Sequence, residues 1–199
     1  MQTVNSRNAA HDIDPLFLER WSPRAFDNSP LSDAEVMSLF EAARWAPSSY
    51  NSQPWRFLYA RRDTPYWARF LDLLIPFNRS WAERAGLLIV AVSNSLMTPP
   101  GSEKAVPSHS HSYDAGAAWA QLALQATRLG LQAHGMVGFD MERAFADLNV
   151  PVGYRVEAAI AVGRPGDKSV LPEKLQEREV PSDRQPVSAF AFEGGFQAA

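Results

Sequence analysis

Apolar side chains recur along this chain with two different periods, and the switches between them divide it into elements. Between residues 31 and 46, Val36, Leu39, Phe40 and Ala43 stand at i, i+3, i+4 and i+7, the spacing of one helix face. Ser32 followed by Glu35 supplies a capping box at the start. Pro47 ends the helix, because proline has no amide hydrogen to give it. Residues 55–61 change to a period of two, with Phe57 and Tyr59 on one face and Leu58 on the other, a strand. A helix after Thr64-Pro65 is expected to bury Phe70, Leu71, Leu74 and Ile75, and a further one runs over 78–84. Residues 87–92 are apolar without a break, as in a strand covered on both faces.

The second half reads the same way. Residues 113–129 form a long helix ended by Gly130, apolar on nearly every side and therefore buried in a core or at a subunit contact. A strand at 132–136 leads through Val137 and Gly138 to a helix that Asp140 caps and that runs to Leu148. Tyr154, Val156, Ala158, Ile160 and Val162 alternate with their neighbours in a last strand. Asp14-Pro15 opens a short helix over 15–20, and residues 1–14 before it read as a flexible arm. The prolines and serines of 93–112 read as a loop of the kind that binds ligands or covers a site. The charged, proline-punctuated arm at 167–194 carries Val187, Phe190 and Phe192, which a disordered tail would rarely hold. Residues 15–194 thus read as one domain.

Composition narrows the chemistry. Without cysteine there is no disulfide, thiolate nucleophile or cysteine-bound metal centre. A net charge of −3 argues against a nucleic-acid surface, and no apolar run is long enough to span a bilayer. The polar N-terminus lacks a signal-peptide core, so a cytoplasmic protein is expected. His109 and His111 could form a metal pair, but no third ligand stands at suitable spacing, and surface histidines are the better reading. Phosphate-binding loops, dinucleotide fingerprints and nucleophile elbows are absent, as is a histidine and carboxylate partner for Ser48 or Ser49.

What remains is a polar loop between two prolines, residues 46–57. Ser48, Ser49, Asn51 and Gln53 place more hydrogen-bonding groups there than a connector needs, although a plain turn would use the same residue types. Upstream, Arg20, Ser22 and Arg24 offer two guanidinium groups and a hydroxyl within five residues, suited to a phosphate.

Ala46-Pro47-Ser48-Ser49-Tyr50-Asn51-Ser52-Gln53-Pro54-Trp55 resembles the A-P-S-S-x-N-x-Q-P-W signature of the nitroreductase family of FMN-dependent oxidoreductases. Arg20-Trp21-Ser22-Pro23-Arg24 resembles that family's R-x-S-x-R, and Arg184-Gln185-Pro186 its late basic residue before a proline. The likeness spans roughly residues 15–194. It implies an α+β fold, a mainly antiparallel sheet flanked by helices, in a homodimer whose C-terminal arms are exchanged between subunits. It implies FMN as cofactor, NADH or NADPH as electron donor, and a small-molecule oxidant such as a nitroaromatic or quinone in a ping-pong cycle.

Site roles follow from the same resemblance. Arg20, Ser22 and Arg184 would hold the phosphate, Trp21 would belong to the same cofactor-binding set, and Arg24 would sit near flavin N1 and O2, where fixed positive charge stabilises the reduced ring. Pro47, Ser48, Ser49 and Asn51 would come from the opposite subunit. Met136, Val137 and Gly138 would bring backbone near N5, unless they form only a strand-to-helix turn. Asn78 is either a ring-edge contact or a helix cap. Trp81 stands where the family often has a lysine, so that lysine's role is not carried over. A flavin-binding module without turnover, or an oxidase, dehalogenase or flavin-cleaving branch of the fold, would use the same cradle.

Overall fold

The computed structural model describes residues 5–196. The alternating stretches pair into one four-stranded sheet in the order β1-β2-β6-β5, where β1 is Trp55–Arg61, β2 Leu87–Asn94, β5 Gln132–Met136 and β6 Tyr154–Gly163. Every neighbouring pair is antiparallel. With helices on both faces of this sheet, the fold is α+β.

Helix α2 (Asp33–Arg44) starts where the capping box predicts. Ser32 Oγ accepts from the Glu35 amide, and Glu35 Oε2 accepts from the Ser32 amide at 2.8 Å. Such a cap contributes roughly 1 kcal/mol. Helix α5 (His111–Arg128) lies beside it, and together they cover one face of the sheet with Val36, Leu39, Leu122 and Ala126 against Ile89 and Ile160. Helices α3 (Trp67–Leu71), α4 (Pro76–Ala82) and α6 (Met141–Asp147) occupy the other face, where Phe70, Leu74 and Trp81 meet Leu88, Val90 and Ala161. β2 is buried on both faces, as its unbroken apolar run requires.

Three expectations need correction. Ile75 is 43% exposed, because Pro76 opens α4 and leaves Ile75 as its cap rather than on the buried stripe. The 93–112 segment carries a small ribbon, β3 (Leu96–Met97) paired with β4 (Val106–Pro107). In β6 the alternation does not hold throughout: a bulge opposite Ala91 and Val92 inserts Glu157 as an extra residue. A bulge turns every later side chain to the other face. Val156 therefore packs with the α3–α4 side, while Ile160 and Val162 pack with α2 and α5.

Glu157 is held by its neighbours. Ser93 and Ser112 hydroxyls donate to Oε1 at 2.5 and 2.7 Å, and the Ser93 oxygen also meets His111 Nδ1 at 2.7 Å. His111 is thereby engaged in structure, and among the described residues no group of His, Asp and Glu could hold a metal. No described helix is long and apolar enough to cross a membrane.

Candidate functional site

The first arginine motif leaves α1 (Leu16–Glu19) in extended backbone and runs beside β5. Gln132 at the start of β5 fixes it: its Oε1 accepts from the Trp21 amide at 3.4 Å and its Nε2 donates to the Glu19 carbonyl at 3.4 Å. His134, two residues on, has Nδ1 2.9 Å from the Pro23 carbonyl. Burial is the main cause that pulls the His134 imidazole down to about 4, and the nearby Arg24 charge adds to it, so the ring is neutral at pH 7.

Arg20 and Ser22 lie together, with Nη1 3.4 Å from Oγ. Trp21, with Pro23 and Ala25, lines a cavity of about 610 Å³. Arg24 reaches over the Trp81 ring, 6.0 Å from its centroid, and its Nε is buried with no hydrogen-bond partner. Beneath it, Glu179 is 1% exposed and accepts from the Arg24 and Ala25 amides at 2.6 and 2.7 Å.

A second group adjoins through Trp81, whose ring meets that of His134 at a tilt of 39°, with 4.7 Å between centroids. Asn78 on α4 is buried and donates from Nδ2 to the Gly138 carbonyl at 2.9 Å. The Ile75 amide donates to the same oxygen. Gly138 has no room for a side chain: a Cβ there would fall 2.5 Å from Asn78 Nδ2. Val137 is 71% exposed, whereas Met136 is buried in the core.

Arg184 belongs with Arg20. In this chain the segment carrying it lies against residues 7–20, and its positive charge lowers the proton affinity of Arg20, after burial the second cause of that shift. Arg7 completes the group, with Nη1 donating to the Arg20 carbonyl at 2.8 Å. Burial lowers its affinity for a proton, and the Arg184 and Arg20 charges add to this. Three guanidiniums gathered in this way, offset only by Asp183 beside Arg7, fit an anionic ligand, and four residues on from Arg20 the partnerless Arg24 Nε offers a further donor.

The polar loop is elsewhere. Ser48 Oγ accepts from the Gln53 amide, and the Ser49 amide donates to Asp114 Oδ2 at 3.2 Å, at the start of α5. Tyr50, Asn51 and Gln53 all have φ near +50°, which non-glycine residues rarely adopt, while Pro47 and Asn51 are exposed. The arginine group meets the far end of α5, where Thr127 and Trp21 share Gln132 Oε1. From Asp114 to Thr127 is thirteen residues of helix, about 20 Å at 1.5 Å each. One chain therefore does not bring Pro47, Ser48, Ser49 and Asn51 to Arg20.

Arg7, Gln132, His134 and Glu179 were not singled out by motif. Each works through contacts across more than a hundred residues of sequence, or in Arg7's case also from an unpatterned arm, so no local signal marked them.

Comparison with known proteins bears on the same residues. The nitroreductase family profile matches residues 18–75, which include the first arginine motif, the polar loop and β1. A solved structure described as an oxidoreductase containing FMN is 47% identical over the full length of both chains, with a TM-score of 0.94. An uncharacterized 15.4 kDa protein of Mycolicibacterium smegmatis is 36% identical over 61% of this chain and 78% of its own length. The NADH dehydrogenase of Thermus thermophilus is 28% identical, covering 82% of this chain and 92% of that protein.

Proposed function

Because the chain belongs to the nitroreductase family of oxidoreductases, we propose that it is an FMN-dependent enzyme that takes hydride from NADH or NADPH and reduces nitroaromatic, quinone or related electron-poor substrates. The observation that carries this reading is the convergence of Arg20, Arg184 and Arg7, on the same extended segment as a half-buried Arg24 whose Nε has no hydrogen-bond partner. Bound FMN would supply the hydride acceptor, with donor and oxidant using its open face in turn.

The chain's own residues do the rest. Arg20, Ser22 and Arg184 would hold the phosphate by charge-assisted bonds. Arg24, on its Trp81 platform, would place fixed positive charge beside the ring edge where negative charge gathers. Asn78 and the Gly138 backbone would present polar groups at the opposite edge. Ser48, Ser49 and Asn51 would reach the ring from a second copy, since their own Arg20 lies at the other end of α5. The side of α5 carrying Tyr113, Gly116 and Ala120 is exposed in one chain and would pack against that copy in a homodimer.

The test is the visible spectrum of the purified protein before and after anaerobic NADH and NADPH. A yellow protein bleached by either donor is expected. Colour that persists with both would make the chain a flavin carrier, and failure to take up FMN would refute the reading.

A further inference from the structure

Arg7 lies outside every motif that carries the family likeness, yet it is one of the most connected side chains of the anion group. Its Nε donates to the Ser182 carbonyl at 2.8 Å, and its Nη1 donates to the carbonyls of Leu18 at 3.2 Å and Arg20 at 2.8 Å. Three pieces of chain are thereby tied at one guanidinium: the N-terminal arm, the exit of α1 and the C-terminal tail. The Ser182 carbonyl is shared, since Arg184 Nη1 also donates to it at 3.1 Å.

We propose that Arg7 is a positioning residue of the cofactor's anion site: by holding the carbonyls of Leu18, Arg20 and Ser182, it sets Arg20 and Arg184 around one phosphate group. This rests on the FMN reading above. Three features argue for it. The carbonyls it holds flank or belong to the residues that carry the other two guanidiniums, so moving Arg7 moves both. An arginine fork meets several carbonyls at fixed angles, which a flexible ammonium cannot do. Finally, Arg7 and Arg184 border open space rather than packed protein, a cavity of about 780 Å³ between arm and tail that Ser182 also lines. Asp183 lines the same cavity and offsets part of this charge, but one carboxylate against three guanidiniums leaves a positive excess that an anion would relieve.

The test compares FMN with riboflavin, which lacks the phosphate, by equilibrium dialysis against the apo chain. Arg7→Ala is expected to weaken FMN about tenfold while leaving riboflavin unchanged. Arg7→Lys, which keeps the charge and loses the fork, is expected to recover little. Unchanged FMN affinity in Arg7→Ala, equal losses for both flavins, or full recovery by lysine would each overturn the proposal. Inorganic phosphate provides a separate arm: at matched ionic strength it should raise the melting temperature of the natural chain over chloride, and not that of Arg7→Ala. If the natural chain takes up neither flavin, the functional reading fails and the phosphate arm alone decides, with equal shifts in both proteins overturning the role of Arg7.

Discussion

The Arg24 guanidinium lies 6.0 Å from the centroid of the Trp81 ring, and Trp81 is fully buried. The side chain that stands in place of a common family lysine thus supports a cation rather than supplying one. Trp81 also touches Phe26 and His134, so it links the core to the site. Trp81→Ala should cost about 3–5 kcal/mol, the usual range for emptying a buried aromatic position. Urea melts at pH 7 check this; a loss below 1 kcal/mol would mean that the ring is not a platform.

Glu179 holds the Arg24 and Ala25 amides from a nearly inaccessible position. Glu179→Ala strands both donors, at about 1–3 kcal/mol for each left unmet. Glu179→Gln keeps an acceptor oxygen and should lose distinctly less. If the two variants melt alike, the amide contacts are not what the carboxylate contributes.

His134 gives the stability a pH dependence of known sign. Its folded value of about 4 lies below the ordinary 6.5, so the unfolded chain takes up the proton first. This group therefore has no effect above pH 6.5, weakens the fold progressively as pH falls toward 4, and adds no further penalty below that. The full drop is of order 3 kcal/mol. Urea melts at pH 7 and pH 4.5 should show a loss in the natural chain that is much reduced in His134→Gln, where nothing titrates.

Gly138→Ala places a methyl group 2.5 Å from Asn78 Nδ2 and 2.9 Å from Ile75 Cδ1. Both side chains must shift, and overpacking of this kind costs about 1–3 kcal/mol. Because the displaced amide is the one bonded to Gly138, FMN content after purification should fall along with the melting temperature.

Local order was largely legible. The Ser32–Glu35 box, the stop at Pro47 and the unbroken run of β2 are decided by neighbours within four residues, and the structure follows them. Face assignment in β6 failed because period-two counting has no means of registering one inserted residue, and Glu157 is inserted only in response to β2. Ile75 was misplaced for a related reason: apolar spacing continued through it while Pro76 began a new helix. The arginine pair and the polar loop stood out by residue type, but their separation along α5 and the tie made by Arg7 are properties of the folded chain. A contact spanning 175 positions leaves no periodicity to find.

The length of α5 has a genetic corollary. If each cleft takes its arginines from one protomer and its polar loop from the other, two separately crippled chains can rescue each other. Arg20→Ala and Asn51→Ala proteins, each inert alone, should on co-expression give hybrids with one doubly damaged cleft and one intact cleft. Recovered turnover in the mixture, absent from either parent, is the signature of interlocked ownership; a mixture as inert as its parents would mean that every cleft belongs to a single chain.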